Sequence, residues 1–266
     1  EALECYKQAA EQGHVEAINK LDQLKTNESE EDSDILSGYP LDEDAGINDY
    51  EKAINGDAEA QFELAIYYEK NNDSGQKLQL AVELYKKSAN QGHAGAQNNL
   101  AVMYRSGKGL KKDEDMALEL YIKSAKQGES VAQQNLAFIY SNGQIVEQDY
   151  KEALKWAKKS ALQGDFMSQN LLGYYFNNGI GVDQDYKEAV KWFKKSAKQD
   201  YSPAQHNLAN RYMHGQGVLK DYEEAIEWYK KAAKQEYSLS FREFRPNLVT
   251  FKNNKNYSKC FIRIFR

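Results

Sequence analysis

The side chains best able to do chemistry in this chain are spaced so that they cannot act together. Of the four histidines, His14, His93, His206 and His214, only the last two lie near each other. Eight residues along a helix separate them by about 12 Å, too far to share a metal ion. Cys5 and Cys260 stand near opposite ends of the sequence. Two thiols so placed do not make a disulfide framework, and such sparse use is compatible with a reducing compartment. No HExxH, paired CxxC, GxxxxGKS/T or GxSxG pattern occurs. The pairs Gly107/Gly109, Gly179/Gly181 and Gly215/Gly217 have the form GxG, but each follows a helical pattern at the same place in a repeat, which makes them turns. No catalytic residue, cofactor or metal site is expected.

The elements that carry these residues repeat every 36 positions, from Asp57 to Glu236. The five repeats begin at Asp57, His93, Glu129, Asp165 and Tyr201. Leu64, Leu100, Leu136, Leu172 and Leu208 align, as do Ala81, Ala117, Ala153, Ala189 and Ala225. A constant period of this length marks a solenoid, in which each repeat buries its apolar face only against its neighbours.

Within Tyr201–Glu236, Ala204, Leu208, Ala209 and Tyr212 form one apolar stripe of a first helix. Pro203 suits its first turn, and Gly215 and Gly217 stop it. Asp221 then caps a second helix, with Glu224 three residues on as an aspartate capping box; Asp185–Glu188 and Asp149–Glu152 repeat the device. Ala225, Trp228, Tyr229 and Ala232 face inward, while Glu223, Glu227, Lys230 and Lys231 face water. Trp156, Trp192 and Trp228 share one column. Gln61, Gln97, Gln133, Gln169 and Gln205 sit at the edge of the stripe and are expected to bond backbone groups of an adjacent helix, because buried amides must be satisfied.

The pattern AxAQxxLAxxYxxGxG(V/L)xxDxxxAxxWYxKxAxQG, seen in SPAQHNLANRYMHGQGVLKDYEEAIEWYKKAAKQ, resembles the Sel-one-like repeat, a relative of the tetratricopeptide repeat. The match runs in phase through residues 57–236. It implies an all-α, right-handed α-solenoid of antiparallel helix pairs. It also implies proteins that act as adaptors in signalling, in quality control of membrane proteins, or in bacterial interactions with hosts. A cysteine-rich branch of the family is linked to β-lactam binding, but its paired cysteines are absent here.

Departures from the pattern carry expectations of their own. Asn71 and Asp73 replace the turn glycines of the first full repeat, predicting a looser turn. Ile145 replaces the second glycine of the repeat at Glu129. Asp200 and Glu236 stand where other repeats have Gly92, Gly128 and Gly164. If those positions need left-handed backbone, each costs about 1 kcal/mol relative to glycine.

Outside the array, residues 1–21 read as a partial repeat, the second helix of a cut unit and the start of the next. Residues 22–48 read as an acidic insertion: the stretch 22–49 holds ten acidic groups against Lys25, too polar to offset its ordering entropy. Residues 49–56 end a degenerate repeat, with a helix expected over Ile47–Asn55. The tail, residues 237–266, interleaves seven aromatics with seven basic residues against Glu243. It reads as a cap on the last helix pair, a neck to a further domain, or a terminus that has lost its repeat. The overall net charge of −5 disfavours nucleic acid as a general partner. No apolar run is long enough to span a membrane.

The candidate partner-binding face is the side of each first helix opposite its core stripe: Asn98, Val102, Gln134, Phe138, Asn170, Tyr174, His206 and Asn210. Amides there can hold a peptide backbone, and Phe138 and Tyr174 can take its side chains. The reading is a non-enzymatic scaffold for a protein or extended peptide. The alternatives are a regulatory or targeting arm of a larger enzyme such as a kinase, and an exported protein of the cell wall or host interface. Ordinary solvated amides account for the same residues without any partner.

Overall fold

The computed structural model describes residues 47–71, 75–143 and 145–236. The partial repeat at 1–21, nearly all of the acidic insertion, the tail, both cysteines and the turn at Asp73 lie outside these residues. The described residues contain eleven helices and no strand. They are α1 (Ile47–Ile54), α2 (Ala58–Lys70), α3 (Gly75–Asn90), α4 (Ala94–Ser106), α5 (Glu114–Lys126), α6 (Ser130–Asn142), α7 (Tyr150–Leu162), α8 (Phe166–Asn178), α9 (Tyr186–Ala197), α10 (Ser202–His214) and α11 (Tyr222–Glu236). The helix expected near Ile47–Asn55 is α1.

The chain divides into two compact bodies, one up to Leu120 and one from Tyr121. In the first, α1 packs on α2, α2 on α3 and α3 on α4. In the second, each helix from α6 to α11 packs on the next, and α6 also touches α8. This serial packing of helix pairs is the α-solenoid arrangement.

Local chemistry sets each helix. Asp165 Oδ1 accepts from Ser168 N at 2.6 Å to open α8, and Gly179 closes it in left-handed backbone. Asp149, Asp185 and Asp221 cap α7, α9 and α11 as expected, each accepting from two backbone N–H groups at 2.8–3.0 Å. The glutamates of the expected capping boxes turn elsewhere: Glu152 and Glu188 bond Lys155 and Lys191, and Glu224 accepts from Trp228 Nε1. They are not needed, because each capping aspartate's own N–H donates to a carbonyl of the preceding first helix. Asp149 reaches Tyr140, Asp185 reaches Phe176 and Asp221 reaches Tyr212, at 2.8–3.0 Å. That bond closes the hairpin.

The alanine column Ala81, Ala117, Ala153, Ala189 and Ala225 has no exposed surface, so helix axes approach without a side chain between them. In the second body Leu172 packs with Ala161 and Trp192, and Leu208 with Val190 and Phe193, each at 4% exposure or less apart from the larger indole. Trp156 and Trp192 are buried and Trp228 is half-buried. Their remaining faces are covered by Lys159, Lys195 and Lys231, whose Nζ atoms stand 4.1–4.3 Å from the ring centroids.

The glutamines do what their column requires. Gln61, Gln97, Gln133, Gln169 and Gln205 each donate Nε2 to the alanine carbonyl eight residues earlier, at 3.1–3.3 Å. Two turn positions show why residue type matters. Gly217 has φ +76°, and a Cβ there would stand 2.1 Å from the Tyr186 carbonyl oxygen. Asp200 is left-handed with φ 60°, alone among the described non-glycine residues, whereas Glu236 keeps helical backbone at the end of α11.

Candidate functional site

Two of the first helices, α6 and α8, differ from the second helices that follow them in charge before any side chain is placed. Neither α6 (SVAQQNLAFIYSN) nor α8 (FMSQNLLGYYFNN) contains a charged residue. The second helices α7 and α9 each carry four lysines and one glutamate. The charged faces therefore belong to α7 and α9, and the face made by α6 and α8 is amide, aliphatic and aromatic.

The candidate residues fall into two groups. Val102, Phe138 and Tyr174 are exposed, at 37%, 37% and 48%. Asn98 and Gln134 are not; they are buried, at 5% and 7%, which corrects their expected place on the open face. A helical wheel knows only the stripe against the second helix, and the folded chain encloses these two positions as well. Asn170, His206 and Asn210 are half-buried. Asn170 Oδ1 accepts from Asn207 Nδ2 at 3.0 Å, joining α8 to α10. His206 meets the Tyr229 ring edge-on at 5.3 Å between centroids, and Asn210 Oδ1 accepts from the Tyr229 hydroxyl at 2.6 Å. Asn99 behaves likewise in the first body, donating to the Tyr85 hydroxyl at 3.1 Å.

Residues that the sequence reading missed extend the open face. Val131 is 45% exposed and Met167 37%, and each lies seven residues before the exposed aromatic of its helix. Val131 with Phe138, and Met167 with Tyr174, thus share a face two turns long on α6 and on α8. The interval of seven between apolar residues in two successive repeats was the available signal. Arg211 was also missed. It occupies a column filled elsewhere by Tyr67, Met103, Ile139 and Tyr175, and donates to the Asn177 side-chain oxygen on α8.

Burial pushes the Tyr175 phenol above its ordinary value, and burial followed by the charge of Asp165 does the same for Tyr201. These are neutral, structural phenols. Among the described residues no cluster of three histidine, cysteine, aspartate or glutamate side chains could hold a metal ion. No described helix is long and apolar enough to cross a membrane.

The model of the Sel1 repeat matches residues 1–14, 58–93, 94–129, 130–165, 167–201 and 202–237. The chain belongs to the Sel1 repeat family. Sel1 repeats are generally protein-interaction scaffolds, and the fold is typically non-catalytic. Two solved Sel1-type structures are similar over most of this chain. One is a protective antigen present in uropathogenic Escherichia coli strains, displaying an SLR fold, 32% identical with a TM-score of 0.67. The match covers 89% of this chain and 49% of that one, so this chain spans about half the length of the antigen. The other, a Sel1 repeat protein from Oxalobacter formigenes, is 31% identical with a TM-score of 0.63 over 68% of this chain and 74% of that one. A putative Sel1 repeat protein from Klebsiella pneumoniae, 22% identical with a TM-score of 0.50, shares the fold over 75% of this chain and 97% of its own. No curated protein matches.

Proposed function

We propose that this Sel1 repeat chain is a non-enzymatic adaptor that holds an extended segment of another protein on the open face of its first helices. The observation that carries the reading is the uncharged face of α6 and α8, with Val131, Phe138, Met167 and Tyr174 exposed on it. Large apolar side chains left at the surface in register on adjacent helices are a feature of interaction sites. Two half-buried amides, Asn135 and Asn170, border the apolar residues and are of a type that offers both donors and acceptors to a peptide backbone. In the first body Val102 is exposed at the matching place of α4.

The test begins with affinity capture by the intact chain and by a Phe138→Ala/Tyr174→Ala variant, followed by calorimetric titration of each captured protein in purified form. Binding weakened at least tenfold by the double variant, with an unchanged melting temperature, supports the face. Equal affinity for both proteins removes it. Turnover of a small molecule by the purified chain would remove the non-enzymatic reading.

A further inference from the structure

Arg211 is a charge in an apolar column. Met103, Ile139 and Tyr175 are buried at the corresponding place in three other repeats, while Arg211 is half-buried on α10. Its contacts do not neutralise it. The guanidinium donates Nη1 to the neutral side chain of Asn177 and lies 5.7 Å from the Tyr186 ring centroid. Its Nε is enclosed without a hydrogen-bond partner, and no described carboxylate lies within ion-pair distance of it. Desolvation lowers its pKa, but a guanidinium remains charged throughout the physiological range. A partly desolvated cation with no counter-ion among the described residues is costly, and a seam between α8 and α10 needs no charge to hold it. Asn170 and Asn207 make the corresponding bridge with neutral amides.

We infer that Arg211 recognises a carboxylate, the side chain of an aspartate or glutamate on the extended segment that binds the first-helix face. This rests on the docking role proposed for that face. Placement supports it: Asn177 follows Tyr174 by three residues, about 4.5 Å along α8, so Arg211 stands about one helical turn from the exposed tyrosine. Adjacent helices lie about 8–10 Å apart and an extended chain rises about 3.3 Å per residue, which sets the acid about three residues from the side chain seated on Tyr174. A single guanidinium balances a single carboxylate. A phosphate dianion calls for a second cation, and α8 contains none.

The test follows the Arg211 Nε–H resonance of the intact chain by nitrogen–proton NMR, assigned by its loss in Arg211→Lys. Three probes are titrated separately at matched ionic strength: N-acetyl-glutamate amide, inorganic phosphate and chloride. The expected result is a saturable shift with the capped glutamate at least threefold larger than with either other anion, and at least threefold larger than the shift of Arg105 in the same sample. A response no larger than that to chloride, or one that favours phosphate, overturns the assignment. Either result is independent of whether Phe138→Ala/Tyr174→Ala loses a partner, so failure of the carboxylate assignment and failure of the docking face are told apart.

Discussion

Gln199 donates its Nε2 to Gln169 Oε1 at 2.9 Å, thirty residues back, while Gln169 donates its own Nε2 to the Ala161 carbonyl at 3.2 Å. One buried amide on α8 is thereby fixed at both ends, to the helix before it and to the chain leaving α9. Gln199 also donates to the Gly164 carbonyl at 2.9 Å. Gln163 and Gln133 form the same pair at 2.9 Å, and Gln91 and Gln61 at 2.7 Å.

Gln169→Ala breaks both links, although the exposed Gln199 keeps the Gly164 carbonyl and the Ala161 carbonyl keeps the Gly164 N–H. The expected loss of stability is about 1–3 kcal/mol, from two hydrogen bonds at about 0.5–1.5 kcal/mol each. Urea unfolding of the variant checks it, and a loss below about 0.5 kcal/mol would show that the pair is incidental.

Core and open face are separated by three truncations. Leu172→Ala removes a 1% exposed side chain and is expected to cost about 2–5 kcal/mol. Tyr174→Ala, 48% exposed on the same helix, should cost at most about 0.5 kcal/mol. Asn170→Ala falls between, at about 1 kcal/mol, because Asn207 loses its acceptor. Thermal melts of the three rank them, and an equal loss for Leu172→Ala and Tyr174→Ala would contradict the assignment of faces.

Much of this was legible in the sequence because the period is strict. The aspartate caps, the alanine column and the glutamine bonds each follow from a residue type that recurs at one place. What escaped was burial on the side of a first helix away from its second-helix stripe. Asn98 and Gln134 lie opposite the second-helix stripe on a wheel, yet both are buried in the folded chain. Val131 and Met167 stand a turn before Gln134 and Asn170, the first positions of the candidate face on their helices, and only their exposure in the folded chain brings them onto it. The glutamates of the capping boxes went astray because the aspartate N–H already had a partner, a carbonyl nine residues back that no local motif reveals.

Backbone handedness gives a graded set. Gly164 has φ +101° with open space around its missing Cβ, so Gly164→Ala should cost about 1–2 kcal/mol from conformation alone. Gly217→Ala adds an overlap with the Tyr186 carbonyl and should cost about 1–3 kcal/mol more. Asp200→Gly relieves left-handed strain and should stabilise by up to about 1 kcal/mol, reduced by the loss of the Asp200 acceptor for Gln205 Nε2. Chemical denaturation of the three variants tests the order.

Alkaline pH should destabilise the fold. Burial raises the phenols of Tyr140, Tyr175 and Tyr201 above their value in the unfolded chain, about 10. Between those values the unfolded chain has released the proton and the folded chain has kept it, so stability is full below about pH 10 and falls as pH rises through the raised values. Tyr175→Phe should flatten the decline measured by urea midpoint between about pH 9.5 and 11. An equally steep fall in the variant would remove Tyr175 from the account.

The bond from each capping aspartate to a carbonyl nine residues back, and the glutamine pair thirty residues apart, repeat at identical separations. Excision of residues 165–200 would deliver Gln205 to Ala161 in the manner of Gln169, and insertion of a further copy would do the reverse. Length in this architecture is consequently a heritable dial, turned by duplication or loss of whole modules, and the reach offered to a ligand protein can evolve without a single contact being reinvented.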